Sequence, residues 1–214
     1  MQSYRTLHEF GTDEFTVEKS LFIGHSRPVK TEEEAREFID EMKNKYKDAT
    51  HNVWAYTIGE AMNIQRYSDD GEPQGTAGIP TLEVIKKEDL RNAVVVVTRY
   101  FGGVKLGAGG LVRAYTKAAK IALDAAKIVE KRPFIEVHIS VDYTLLGKFQ
   151  NELSNRDYTV KDIEYTDSVN IIVYCEKEKL ENLSSLITEI SSATAEISEK
   201  EEFYLSVLDG KILV

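Results

Sequence analysis

Four consecutive valines, Val94 to Val97, give way to Thr98-Arg99-Tyr100-Phe101, and five glycines then fall within residues 102–110. Few local structures accommodate that succession. A β-branched run of this length reads as a buried strand and is too short for a helix. The glycines, Gly102, Gly103, Gly107, Gly109 and Gly110, read as a loop, and a helix is expected from near Leu111. Strand, glycine loop and helix bring free backbone N–H groups to a helix N-terminus, where an anion is stabilised. Arg99 and Arg113 flank the loop and can fork onto phosphate, and Lys105 adds a point charge. Tight helix–sheet packing is the plainer use of glycine, but five in so short a stretch exceed what packing requires, because each raises the entropy lost on folding.

A second dense stretch lies upstream, Tyr67 to Pro80, YSDDGEPQGTAGIP. Ser68, Asp69, Asp70 and Glu72 set three carboxylates around Gly71. Clustered acids hold a divalent ion or, with raised pKa, act as a base; turn chemistry alone also explains Ser-Asp-Asp-Gly. Thr76 reads as an N-cap of a helix over 76–86, with Pro80 in its first turn. A weaker element is His51-Asn-Val-Trp-Ala-Tyr56. His51 has no second histidine at ligand spacing, so a zinc site is not expected.

These stretches, in this order, resemble the YigZ/IMPACT family. The matching residues are His51, Ala55, Tyr56, Ser68–Pro73, Gly75-Thr-Ala-Gly78, Pro80, Val-Thr-Arg-Tyr-Phe-Gly-Gly to Gly103, and Leu106–Tyr115. The resemblance implies an α+β fold: an N-terminal two-layer domain similar to domain IV of elongation factor G, then a smaller ferredoxin-like domain. It implies a role around translation and RNA, with RNA, the ribosome or a translation-related protein as partner. It implies no settled enzymatic activity and no cofactor.

The nucleotide motifs fit less well. The loop lacks the Gly-Lys-Ser/Thr ending of a P-loop, and Val112 stands where G-x-G-x-x-G requires its last glycine. Leu106–Leu111 faintly resembles the glycine loop of GHMP kinases, whose serines are absent here. Three readings therefore stay open. In the first, Arg99, Lys105, Arg113 and the glycines bind RNA, in a cleft shared with His51, Tyr56, Ser68, Asp69, Asp70, Glu72, Tyr100 and Tyr115. In the second, the same surface binds a protein. In the third, Asp69, Asp70 and Glu72 serve a phosphate-substrate enzyme.

Charge supports the first reading only locally. The chain's formal net charge is −9, yet residues 1–132 hold 20 basic and 20 acidic groups, while residues 133–214 hold 7 and 16. Residues 99–132 carry eight basic groups against Asp124 and Glu130, so the glycine-loop region attracts anions that the whole chain repels. The expected domains are 1–132 and 133–214, divided at Pro133. The second reads as βαββαβ, the ferredoxin-like order. One cysteine, Cys175, inside an apolar run, cannot staple a fold, and no apolar stretch is long enough to span a bilayer, so a cytoplasmic protein with no membrane partner is expected.

Near the N-terminus, Tyr4–Leu7 and Glu14–Val17 read as a hairpin turning at Gly11-Thr12-Asp13. Thr31 and Glu34 read as a capping box opening the helix 32–46. The long helix, expected over 109–131, offers a seam of Leu111, Ala114, Ala118, Ile121, Ala125 and Ile128, and a basic stripe through Arg113, Lys117 and Lys120.

Overall fold

The computed structural model describes residues 1–213. The chain divides into two compact units, Tyr4–Glu130 and the stretch from Lys131 onward with Met1–Ser3. The first unit contains β1 (Tyr4–Leu7), β2 (Gly11–Val17), β3 (Ser20–Pro28), α1 (Glu32–Lys45), β4 (His51–Ile58), β5 (Ile64–Ser68), α2 (Gly78–Lys87), β6 (Ala93–Tyr100) and α3 (Gly107–Ala125). β7 (Ile128–Val141) starts in this unit and continues into the second.

A five-stranded antiparallel sheet of order β2-β3-β6-β4-β5 forms the first unit, with β6 at its centre. Successive side chains of a strand face opposite ways. Val95 and Val97 therefore join the cluster of α2 and α3, and Val94 and Val96 join Phe38, Ile39 and Met42 of α1. Burial on both faces is why the valine run never alternates with polar residues. The unit has three layers where two were expected, because α1 covers the face that a two-layer fold leaves to solvent.

α3 lies directly on β3. A Cβ at Gly24 would stand 2.3 Å from the Ala118 carbonyl oxygen, so no larger residue fits. The buried face is Leu111, Ala114, Tyr115, Ala118, Ala119, Ala122 and Leu123. It shares three residues with the expected seam, but Ile121 is half-buried and Ile128 belongs to β7. The helix starts at Gly107, takes Gly109 and Gly110 into its first turn, and ends at Ala125. Lys127, at φ +58°, then reverses the chain into β7.

The N-terminal hairpin also differs from expectation. β2 pairs with β3 through Glu18 and Lys19, both at positive φ (45° and 62°), the geometry of a two-residue hairpin turn. β1 instead pairs with β7, and bonds beside that pairing run from His8 N–H to the Lys127 carbonyl and from Arg91 N–H to the Arg5 carbonyl. The α1 cap is present, with Glu34 N–H donating to Thr31 Oγ1 at 3.2 Å, but the Glu34 carboxylate accepts from Lys30 N–H rather than from the cap residue.

In the second unit, β7 is followed by α4 (Leu146–Asn155), β8 (Thr159–Tyr165), β9 (Val169–Glu176), α5 (Leu180–Ser191), β10 (Glu196–Leu208) and β11 (Lys211–Leu213). Through β10 the order is βαββαβ, and the sheet order is β11-β10-β7-β9-β8. Alternate residues of β7 and β9, including Ile135, Val137, Ile171 and Val173, form the core with α4 and α5. Pro133 lies inside β7 and does not end an element; it precedes Phe134, the first residue in register with β9, so its missing N–H removes no bond from that ladder. Cys175 is fully buried in this core, and burial pushes its thiol up to about 11, which suits a small apolar residue. Among the described residues, no helix is long and apolar enough to cross a membrane.

Candidate functional site

β6 aims Arg99 to the side of the sheet that carries α3, and there the side chain is buried (5% exposed). Its Nη1 donates to Glu72 Oε1 at 2.6 Å, and the Tyr115 hydroxyl donates to the same oxygen at 2.8 Å. Nη2 reaches Ser20 Oγ at 3.4 Å, and that hydroxyl oxygen also accepts Gly102 N–H at 3.1 Å. The guanidinium centre lies 5.4 Å from the Phe22 and Phe101 ring centres. Burial, and after it the neighbouring carboxylate of Glu72, holds the Tyr115 hydroxyl far above its usual range. A buried arginine whose charge is already met has little left for an incoming phosphate. It fastens the strand end to the loop that carries Glu72.

That loop is tied at every acid. Asp69 accepts N–H bonds from Gly75 (2.9 Å), Ala77 (3.2 Å) and Gly78 (2.8 Å), so it caps α2. The expected cap, Thr76, donates its hydroxyl to the Pro73 carbonyl, and α2 begins two residues after it. Asp70 accepts from Lys43 Nζ (3.0 Å) and Asn52 N–H (2.7 Å). Ser68 Oγ accepts Asp70 N–H at 3.1 Å. His51 Nδ1 lies 2.7 Å from the Asp70 carbonyl oxygen and so carries the proton it donates there. Its Nε2 faces Glu72 Oε2 at 3.8 Å. The three carboxylates diverge to separate donors, and among the described residues no group of three His, Cys, Asp or Glu is arranged to hold a metal.

The other proposed cleft residues do not converge. Tyr56 is buried with α1, on the opposite sheet face from Tyr115, and donates to Glu32 Oε1 at 2.7 Å. Tyr100 donates to Asp48 at 3.0 Å. Phe101 stays 46% exposed at the mouth of the glycine loop.

Each glycine has its own reason. Gly102 meets the Lys19 carbonyl so closely that a Cβ would lie 2.0 Å away. Gly103 and Gly107 face open space and are held at φ +86° and +69°, the left-handed region that glycine adopts freely. Beyond them α3 has no side-chain N-cap, so its first amides have no side-chain acceptor. Beside this helix start lies a groove of about 500 Å³, lined on one side by Phe15 and Glu18 and on the other by Lys105, Arg113 and Lys117.

Electrostatic partners separate the basic groups of this region. Arg99 belongs to Glu72, Lys120 to Glu88 and Asp124, and Lys127 to Glu9. Lys131 and Arg132 lie in the second unit. Lys105, Arg113 and Lys117 have no ion pair among the described residues, and all three line the groove. Lys117 Nζ sits 4.2 Å above the Phe15 ring centre. Phe15 carries no sequence signal for this role, since a hairpin about ninety residues upstream delivers it.

Sequence reasoning also missed a buried polar chain on the α1 face. His25 is 1% exposed and stacks on Tyr46 at 4.9 Å. Thr12 Oγ1 lies 3.0 Å from its Nδ1 and Thr98 Oγ1 3.4 Å from its Nε2, while Thr98 donates to Asn52 Oδ1 at 2.7 Å. Burial, and secondarily Lys45, pushes the His25 pKa down to about 4, so the ring is neutral at physiological pH.

Comparison with known proteins gives two family matches: the Impact N-terminal domain over residues 18–123 and a domain of unknown function (DUF1949) over residues 139–194. The IMPACT family member YvyE of Bacillus subtilis (strain 168) is 46% identical over 205 residues, 96% of this chain and 94% of that protein. YigZ of Escherichia coli (strain K12) is 30% identical over 188 residues, 87% and 92% of the two chains. Protein IMPACT of Oryctolagus cuniculus is 34% identical over 97 residues, 43% of this chain and 30% of that protein. A crystal structure described as a hypothetical protein is similar with a TM-score of 0.59 and 28% identity, covering 94% of this chain and 98% of that one.

Proposed function

The chain belongs to the IMPACT family, and on that premise we propose that it is a non-enzymatic, translation-associated protein that binds RNA or the ribosome through the groove beside its glycine loop. One observation carries the reading. Of the basic groups that the stretch 99–130 contributes, the three without a carboxylate partner among the described residues line a single groove, next to a helix start with no side-chain cap. Phosphates have charge to meet there and no internal salt bridge to break. Arg99 and Glu72 support the loop from within, and Phe101 offers an exposed ring for a base.

A protein partner is the second reading, favoured by the exposed Phe101, Val104 and Val112 around the same loop. The enzyme reading is disfavoured by the acids: Asp69 caps a helix, Asp70 pairs with Lys43, and Glu72 pairs with Arg99.

Fluorescence anisotropy with labelled RNA across a salt series tests the proposal. Arg113→Ala, Lys105→Ala and Lys117→Ala should each weaken binding about tenfold and lower the salt slope by about one. If all three bind RNA as the wild type does, the groove is not a phosphate surface and the protein-partner reading replaces it.

A further inference from the structure

Phe101 follows the last residue of β6, and the strands on both sides of β6 hold it there. Its N–H donates to the hydroxyl of Thr50, just ahead of β4, at 3.0 Å. The next N–H, of Gly102, donates at 3.1 Å to the hydroxyl of Ser20, the first residue of β3. Gly102 also packs on the Lys19 carbonyl too closely for any side chain. The buried Arg99 guanidinium lies 5.4 Å from the Phe101 ring centre and backs the ring from inside. The ring is still 46% exposed. Its backbone and its inner side are fixed, so an aromatic face is held out in water on a rigid support.

Unpaired charge lies beside it. Glu18, the neighbour of Lys19, lines the groove that Lys105, Arg113 and Lys117 also line, so the ring borders the groove. Cations and ring make opposite demands on an RNA. Cations alone favour a duplex, which carries the denser phosphate charge. A duplex covers the faces of its bases, and only an unpaired base can lie on a ring.

We propose, resting on the RNA reading above, that this surface selects single-stranded RNA. An unpaired base stacks on the outer face of Phe101, and neighbouring phosphates meet Lys105, Arg113 and Lys117. The stacked base outweighs the greater charge density of a duplex.

Anisotropy titrations of the full chain test it. A short labelled strand of alternating cytidine and adenosine, which cannot pair with itself, is compared with the same strand annealed to its complement. The wild type should bind the single strand about tenfold more tightly. Phe101→Ala should lose most of that preference with its salt dependence unchanged, because no charge is removed. Phe101→Leu, apolar without an aromatic face, should behave as Phe101→Ala does. Phe101→Trp should keep the preference. It should also show tryptophan quenching by the single strand beyond that of the wild type, whose one tryptophan, Trp54, packs on the α1 side. All three variants alter an exposed side chain and should melt as the wild type does. Equal or tighter binding of the duplex by the wild type overturns the inference and leaves the groove a phosphate surface. So does an undiminished strand preference in both Phe101→Ala and Phe101→Leu. No binding of either RNA overturns the RNA reading and the choice of strand together.

Discussion

Arg99 and Arg113 stand at the two ends of one glycine loop, yet the fold uses them in opposite ways. Arg99 lies at the end of a central strand, buried between two aromatic rings and bonded to Glu72. Arg113 lies on the outer face of α3, exposed and without an ion pair among the described residues. On the strand side the charge is buried and paired with Glu72, with only the Arg99 Nε left without a hydrogen-bond partner among the described residues, and on the helix side the charge is exposed and unpaired. Charge near a glycine loop is thus not itself a binding signal; the charge that the protein has left unmatched is.

The sharpest way to break this contrast is at Glu72. Glu72→Ala leaves the Arg99 guanidinium buried without its anion and the Tyr115 hydroxyl without an acceptor, and should cost about 3–5 kcal/mol in urea denaturation. A loss below about 1 kcal/mol would mean that the strand side is as hydrated as the helix side.

Acid should expose the other buried group, His25. Above pH 6.5 folded and unfolded histidine are both neutral and pH has no purchase on it. Between 6.5 and about 4 the unfolded ring takes a proton that the folded ring refuses, so stability falls as pH drops through that window. The loss approaches about 3 kcal/mol at the acid end. Thermal unfolding of His25→Gln between pH 7 and 4 should show a flatter acid limb than the wild type; an identical limb would assign the acid sensitivity to other groups.

Asp69 gives a smaller effect of the same kind. Asp69→Ala removes the acceptor for the amides of Gly75, Ala77 and Gly78 at the entry to α2 and should cost about 1–2 kcal/mol. Asp69→Asn keeps one acceptor oxygen and should recover part of it. Neither should abolish RNA binding, whereas a catalytic or metal-ligating role would be lost in both.

The smallest effect on stability is expected on the helix side. Arg113→Ala should change unfolding by no more than about 0.5 kcal/mol, an ordinary surface substitution, while weakening RNA binding about tenfold. Glu72→Ala should do the reverse, with a large stability loss and an RNA affinity that persists wherever the protein remains folded. A variant series in which stability and affinity fall together would erase the distinction between the two arginines.

Much of the architecture is legible in neighbouring residues. Val94–Val97 reads as a buried strand because β-branched side chains crowd a helix and suit a pleated sheet. Thr31 reads as a cap because its hydroxyl reaches an amide three residues on. The alternation in Phe134–Val141 reads as a strand with one face on helices. The missed features lack local chemistry. Glu18 and Lys19 make a positive-φ turn without the glycine or asparagine that would announce it. Gly107 looks like a loop residue and opens α3, two residues before the expected start at Gly109. Pro133 looks like a break before a strand and sits inside β7, because a strand carries an unpaired N–H at some positions.

What the sequence by itself determined is the type and order of the elements, and the placing of basic residues and acids around a glycine loop. Backbone propensity, capping and side-chain period act over a few residues, so they are written locally. What only the tertiary structure decided is which of those charges remain available. Glu72 reaches Arg99 across 27 residues and Tyr115 across 43, and Phe15 meets Lys117 from a different hairpin. Desolvation and pairing depend on neighbours brought together by folding, so the same residue type becomes a buried strut at one end of the loop and an open charge at the other.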